Sequence, residues 1–63
     1  MHLAHAIEQS RRLPSAARAA WCELWIQAAR EDQRAARTDR DLQRLAYQVT
    51  ALQRELVRIA QGK

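Results

Sequence analysis

A long stretch without helix-breaking residues limits the fold of this chain more than any other feature. From Ser15 to Gln61 there is neither glycine nor proline, the two residues least compatible with a helix interior. Alanine, glutamine, leucine and arginine, which favour helices, dominate that stretch. The sequence therefore predicts an all-α protein, with residues 1–63 forming one small helical domain.

The single proline and the single glycine lie at the two ends of this stretch. Pro14 pushes the residue before it out of helical geometry, so we expect a short first helix at about residues 2–12 to end there. Leu3, Ala6 and Ile7 form its apolar stripe. Ser15 is in position to cap a second helix, and Gly62 is in position to supply a left-handed stop.

Six larger apolar residues recur with alternating spacings of three and four in the second half of the chain. This spacing places all six on one side of a helix, as in the a and d positions of a coiled coil. We call this set the apolar seam, and we predict that it mediates oligomerisation: Leu42, Leu45, Val49, Leu52, Leu56 and Ile59.

Two backbones are compatible with the seam. One is an antiparallel helical hairpin with helices at about 15–36 and 39–61, in which Thr38 caps the third helix and Asp41 stands in a position like that of a capping box. The other is a single coiled-coil helix from about residue 15 to 61, roughly 70 Å long at ~1.5 Å per residue. We favour the hairpin because its arms are of similar length and its charged, alanine-rich segment falls at a solvated tip.

The apolar content of the chain is small once alanine is set aside. Hydrophobic residues make up 48% of the sequence, but 13 of them are alanines. A chain of 63 residues with so few large apolar side chains is near the size at which a single core barely suffices. We therefore predict a homodimer that completes a helical bundle through the seam.

The second helix has a wider apolar arc than one neighbour can cover. The arc runs from Leu24 and Ala28 through the two tryptophans to Cys22 and Ile26. Large aromatic residues dominate the binding energy of many protein interfaces, and Tyr47 lies away from the seam. Four residues are therefore candidate contacts for a larger protein: Trp21, Trp25, Ile26 and Tyr47.

Basic residues outnumber acidic ones, giving a formal net charge of +4, but no segment is a purely basic block. A hairpin gathers five arginines around its tip, where four acidic residues are interleaved with them. These tip arginines either form surface ion pairs or contact an anion or an acidic partner: Arg30, Arg34, Arg37, Arg40 and Arg44.

Catalytic and metal-binding patterns are not apparent. A chain with one glycine has no phosphate-binding glycine loop, and Cys22 lies on an apolar arc with no basic neighbour set by sequence spacing to activate its thiol. His2 and His5 share a helix face only at a terminal turn, so we expect no metal ion and no cofactor. We expect neither an enzyme nor a small-molecule substrate.

The predicted location is the cytoplasm, since the chain has one cysteine, no recognisable signal peptide and no apolar run of membrane-spanning length. Taken together, the patterns favour a small, arginine-rich helical protein that binds a larger protein as a homodimeric inhibitor, adaptor or regulatory protein. The alternative is a dimeric nucleic-acid-binding protein that uses an arginine-rich helical face.

Overall fold

The computed structural model describes residues 3–62, which form three α-helices. They are α1 (Leu3–Ser10), α2 (Ser15–Ala35) and α3 (Asp39–Ala60). The all-α prediction is confirmed, and the bounds of α2 and α3 agree with the predicted ones to within one residue. The predicted first residue of α1, His2, lies outside the described residues.

Helices α2 and α3 pack against each other as a hairpin. The described residues measure 37 Å along their longest axis, about half the length expected of one continuous helix from residue 15 to 61. The rod-like alternative is therefore wrong. The charged, alanine-rich segment lies at the turn of the hairpin, where its side chains are solvated.

The turn between α2 and α3 needs no glycine. Ala36 ends α2 in an extended conformation, with φ −66° and ψ 135°, and Thr38 is also extended. The Thr38 hydroxyl accepts a hydrogen bond from the backbone N–H of Asp41 at 3.2 Å, so the predicted N-cap is confirmed. The Asp41 carboxylate does not complete a capping box; its Oδ1 lies 3.7 Å from Arg44 Nη2.

Helix α1 ends earlier than predicted, at Ser10 instead of Arg12. The Ser10 hydroxyl donates to the Ile7 carbonyl at 2.6 Å, and the next N–H groups form tighter i→i−3 bonds, such as Leu13 to Ser10 at 3.0 Å. Pro14, and not Ser15, occupies the N-cap position of α2, without a side-chain hydrogen bond. Its carbonyl accepts from the Arg18 N–H at 2.9 Å, so Ser15 is already inside the helix.

The centre of the core consists of Cys22, Ile26 and Leu52. Cys22 and Leu52 are fully buried, and Leu45 of the seam is buried as well. Three more seam residues, Val49, Leu56 and Ile59, are half-buried and pack against this centre, whereas Leu42 at the start of the seam is exposed. The apolar seam thus joins the two arms of one hairpin, which differs from our prediction that it joins two copies of the chain.

Helix α1 packs chiefly against α3. The wide apolar arc of α2 predicts a central α2, with α3 on one flank and either α1 or a second molecule on the other; α1 lies mainly against α3 instead. Leu3 and Ile7 of α1 pack against the same core centre as the tryptophans of α2, and Ala6 is buried. Helix α1 therefore covers one side of the hairpin near α3 and leaves the outer face of α2 open.

Candidate interaction surface

Three large apolar side chains remain well exposed after the chain has folded. Tyr47 is 76% exposed, Leu24 is 65% exposed and Val57 is 55% exposed. Leu24 lies on α2, whereas Tyr47 and Val57 lie on α3. The apolar arc of α2 is therefore covered on the side of Cys22 and open on the side of Leu24.

Tyr47 is part of a groove between α1 and α3, which we call the α1/α3 groove. Its wider part has a volume of about 810 Å³, and residues of both helices line it: Leu3, Ala4, Ile7, Arg44, Tyr47, Gln48 and Ala51. A narrower part of about 190 Å³ shares Ile7, Tyr47 and Ala51 with the wider one and extends towards Arg54 and Arg58. The predicted contact residue Tyr47 thus lies beside a concave surface.

The three predicted contact residues on α2 are less accessible to a partner protein than Tyr47. Trp21 and Trp25 are half-buried, with ring centroids 5.3 Å apart and ring planes tilted by 36°. Both indoles pack against the core centre. Ile26 is buried, so it lies in the core and not on the surface, in contrast to its prediction as a contact residue.

The five tip arginines are all exposed. They occupy the last turns of α2, the turn itself and the first turns of α3, as the hairpin prediction requires. Arg44 pairs with Asp41, an i,i+3 neighbour, at 3.7 Å. At such a distance and exposure this pair contributes little to stability, so the arginines remain available to a ligand.

A second arginine cluster, which the sequence analysis missed, lies at the opposite end of the hairpin. Glu55 is only 4% exposed. Arg11 donates two hydrogen bonds to its carboxylate, from Nε to Oε1 at 3.3 Å and from Nη2 to Oε2 at 3.0 Å. Arg18 donates a third from Nη2 to Oε1 at 3.2 Å. Through this one carboxylate, the cluster links α3 to α2 and to the turn that follows α1.

Charge balance at this cluster keeps Glu55 ionised. Burial by itself raises the pKa of the Glu55 carboxyl. The hydrogen bond from Arg11 and the positive charges of Arg11, Arg18 and Arg58 outweigh that effect, so the pKa lies below its ordinary value. Arg18 Nε is buried and has no hydrogen-bond partner among the described residues.

Sequence spacing gives no sign of this cluster because its members are distant along the chain. Glu55 is 44 residues from Arg11 and 37 from Arg18, so no helical periodicity relates them. The one available signal is that Glu55 is the sole acidic residue after Asp41 and stands next to Leu56 of the seam. Only when such an acid is buried does it need a cationic partner, and the spacing alone does not show that Glu55 is buried.

Cys22 is chemically protected. Its side chain is fully buried, and burial, together with the charge of Glu55, raises the pKa of the thiol. Arg18, one turn earlier on α2, lowers that pKa and is a basic neighbour that the sequence analysis overlooked, but burial outweighs its effect. The thiol therefore stays protonated at neutral pH, and a protonated, buried thiol is a poor nucleophile. Its position in the core centre matches the sequence-based interpretation of Cys22 as a small hydrophobic residue.

Two kinds of feature are absent from the described residues. Residues 3–62 contain no cluster of three or more histidine, cysteine, aspartate or glutamate side chains that could hold a metal ion. Within the same range, no helix combines the length and apolar character that crossing a membrane requires. No protein-family model matches the chain, and no curated protein or solved structure is significantly similar to it.

Proposed function

We propose that this chain is a small, non-enzymatic protein–protein interaction module that acts on a larger protein as an inhibitor, adaptor or regulatory protein. The observation that carries the proposal is the exposure of Tyr47 beside the α1/α3 groove. A large ring at that position is not needed for the core, which is centred on Cys22, Ile26 and Leu52.

Tyr47 supports this proposal because it is contiguous with half-buried apolar residues. Single exposed leucines are common on protein surfaces and carry no functional information. Tyr47, however, lies with Leu3, Ile7 and Ala51 along one groove. A concave, mainly apolar surface that contains a tyrosine is typical of the central part of a protein interface.

A homodimer belongs to the same proposal. Since the seam already packs inside the hairpin, a second copy would use the edge of α3 that remains open. Leu42 and Val57 are exposed on that edge, and the half-buried Val49 and Leu56 lie next to them on the helix. Burying this edge against its counterpart in a second copy would form a bundle of the two hairpins.

Photo-crosslinking in the cells that make the protein tests the proposal. The photoreactive residue p-benzoylphenylalanine would replace Tyr47, Leu24, Val57 or Arg34, one at a time. We expect a discrete adduct with one larger protein from position 47, an adduct of twice the chain mass from position 57, and none from position 34. Identical, diffuse labelling from all four positions would contradict the proposal, since it indicates random collisions.

A nucleic-acid-binding function is the second candidate, and the exposure of all five tip arginines favours it. Gel-shift titrations with DNA and RNA over a range of salt concentrations test this function. A phosphate-contacting tip predicts that affinity falls steeply as salt rises and that Arg34→Ala reduces the slope. Absence of any shift at low salt would exclude it.

A further inference from the structure

We propose that the α1/α3 groove binds an acidic amphipathic helix of the partner protein. This inference rests on the proposed function, because it names the chemistry of the segment that the module recognises. The observation behind it is that the same groove has an apolar floor and a basic rim.

The floor of the groove is apolar and comes from both helices. Leu3, Ala4 and Ile7 of α1 face Ala51 of α3 across it. Tyr47 forms one wall and is largely exposed. Helices that bind in grooves place an apolar stripe on such a floor, and a volume of about 810 Å³ in the wider part is enough for several side chains.

The rim of the groove is basic, and its residues on α3 follow helical spacing. They recur at alternating intervals of three and four residues, as the members of the apolar seam do. Each stands one residue before or two residues after a seam residue, so the two sets lie on neighbouring faces of α3. We call this set the basic stripe: Arg44, Tyr47, Ala51, Arg54 and Arg58. Arg11, after the end of α1, lines the same groove at its narrower part.

Acidic residues near the groove neutralise this rim only in part. Glu55 lines the narrower part, but its carboxylate is buried and already accepts hydrogen bonds from Arg11 and Arg18. Asp41 pairs with Arg44 at 3.7 Å, and the charge of Glu8 adds to that of Glu55 in raising the pKa of Arg11. Within residues 3–62, Arg54 and Arg58 form no ion pair. The rim therefore carries a net positive charge that favours an acidic partner.

The length of the stripe fits a helix as occupant. On the α3 side, residues 44 to 58 span roughly 21 Å at ~1.5 Å per residue. The α1 wall, Leu3–Ser10, spans roughly 10 Å on the same scale, so a bound helix would contact both walls over about two turns. Apolar residues at i, i+3, i+4 and i+7 of that helix would contact Tyr47 and Ile7, and glutamate or aspartate on its flanks would pair with Arg54 and Arg58.

The apolar floor favours a peptide over nucleic acid. A phosphate backbone would pair with the arginines but would leave Leu3, Ile7 and Ala51 without apolar contacts. An amphipathic helix satisfies both surfaces at once. Nucleic acid is therefore the competing occupant that the experiment has to distinguish.

A display experiment with the full chain tests the inference. The probe is a phage library of 18-residue helices in which the stripe positions vary among leucine, phenylalanine and alanine, and the flanks among glutamate, glutamine and lysine. We expect enriched sequences to combine a large apolar stripe with glutamate on the flanks. Enrichment of lysine-rich or neutral flanks, or no enrichment, would overturn the inference.

Four variants of the chain locate the binding site. Tyr47→Ala and Arg54→Glu should each weaken the enriched peptides about tenfold or more, which is the effect expected of interface hot spots. The control variants Leu24→Ala and Arg34→Glu alter exposed positions outside the groove and should leave affinity unchanged. Binding that survives both groove variants, or single-stranded RNA that displaces the peptides and binds tighter than they do, would overturn the inference.

Failure of this inference is distinguishable from failure of the proposed function. If photo-crosslinking joins Leu24 or Val57 to a larger protein while the groove selects no acidic helix, the module still binds a protein but by another surface. If neither experiment detects binding, both the proposed function and the inference are wrong.

Discussion

Helix α3 carries two stripes of similar spacing that serve different purposes. The apolar seam, from Leu42 to Ile59, packs mainly inside the hairpin, and its member Leu52 is fully buried. The basic stripe, from Arg44 to Arg58, lies along an open groove. One helix thus provides a folding surface and a candidate binding surface, separated by part of its circumference.

The comparison shows that spacing alone does not reveal what a stripe contacts. Side-chain size and charge decide this. Moving leucine or isoleucine from water into the core is favourable, whereas moving the charge of arginine there is unfavourable. Glu55 lies between the two stripes and combines both characters, since it is buried and also bound by two arginines. Substitutions in the seam, at this boundary residue and in the stripe should therefore differ in their effects.

The largest effect is expected in the seam, from Leu52→Asp. The substitution removes a fully buried side chain and places an unpaired charge in the core, at a cost of more than about 5 kcal/mol. A domain of this size has a stability of roughly 3–9 kcal/mol, so the substitution should remove most or all of it. Circular dichroism should show loss of helix, and Val57→Asp, on the exposed edge, should retain it. A helical Leu52→Asp variant would mean that the seam is not the core.

A smaller but substantial effect is expected at the boundary, from Glu55→Ala. Removing the carboxylate leaves Arg18 largely buried without its partner, which costs about 3 kcal/mol. Urea denaturation should show the loss. The double variant Glu55→Leu, Arg18→Leu should recover much of it, because two apolar residues replace a buried ion pair. If the midpoint urea concentration of Glu55→Ala equals that of the wild type, the cluster contributes nothing to stability.

Acid should act on the same residue more gradually. The pKa of Glu55 in the folded chain lies below its ordinary value of 4.5, so its contribution to stability is fully present above that pH. The contribution is lost as pH falls through the lower, folded-state pKa. In the wild type, the urea concentration at the midpoint of unfolding should therefore decrease as the pH is lowered below 4.5. In Glu55→Gln the fall should be smaller; an equal fall in both would assign it to other carboxylates.

The smallest effect on stability is expected in the basic stripe, from Tyr47→Ala. The ring is mostly exposed, so the free energy of unfolding should change by no more than about 0.5 kcal/mol. Thermal denaturation compared with Arg44→Ala, whose ion pair is long and exposed, checks this expectation. A loss of more than 2 kcal/mol, by the scale of core substitutions, would place Tyr47 in the fold instead of on the binding surface.

Most of the fold could be predicted from the sequence because it depends on local rules. The helix-permissive stretch, the seam spacing and the Thr38 cap involve residues within a few turns of one another, and each predicts its part of the hairpin. The position of α1 and the Glu55 cluster could not be predicted, since they depend on contacts between residues far apart in sequence. The basic stripe was only partly recognised, because Arg44 was assigned to the tip and not to a groove with Tyr47.

The turn between α2 and α3 has a consequence for how this chain tolerates variation. Its residues Ala36 and Thr38 adopt extended conformations that ordinary amino acids reach without strain, and its specific requirement is a side-chain oxygen at position 38. Related chains are therefore free to diverge at Ala36 and Arg37 while keeping serine, threonine, aspartate or asparagine at position 38. Residues inserted before that cap would lengthen the loop without altering the pairing of the two arms.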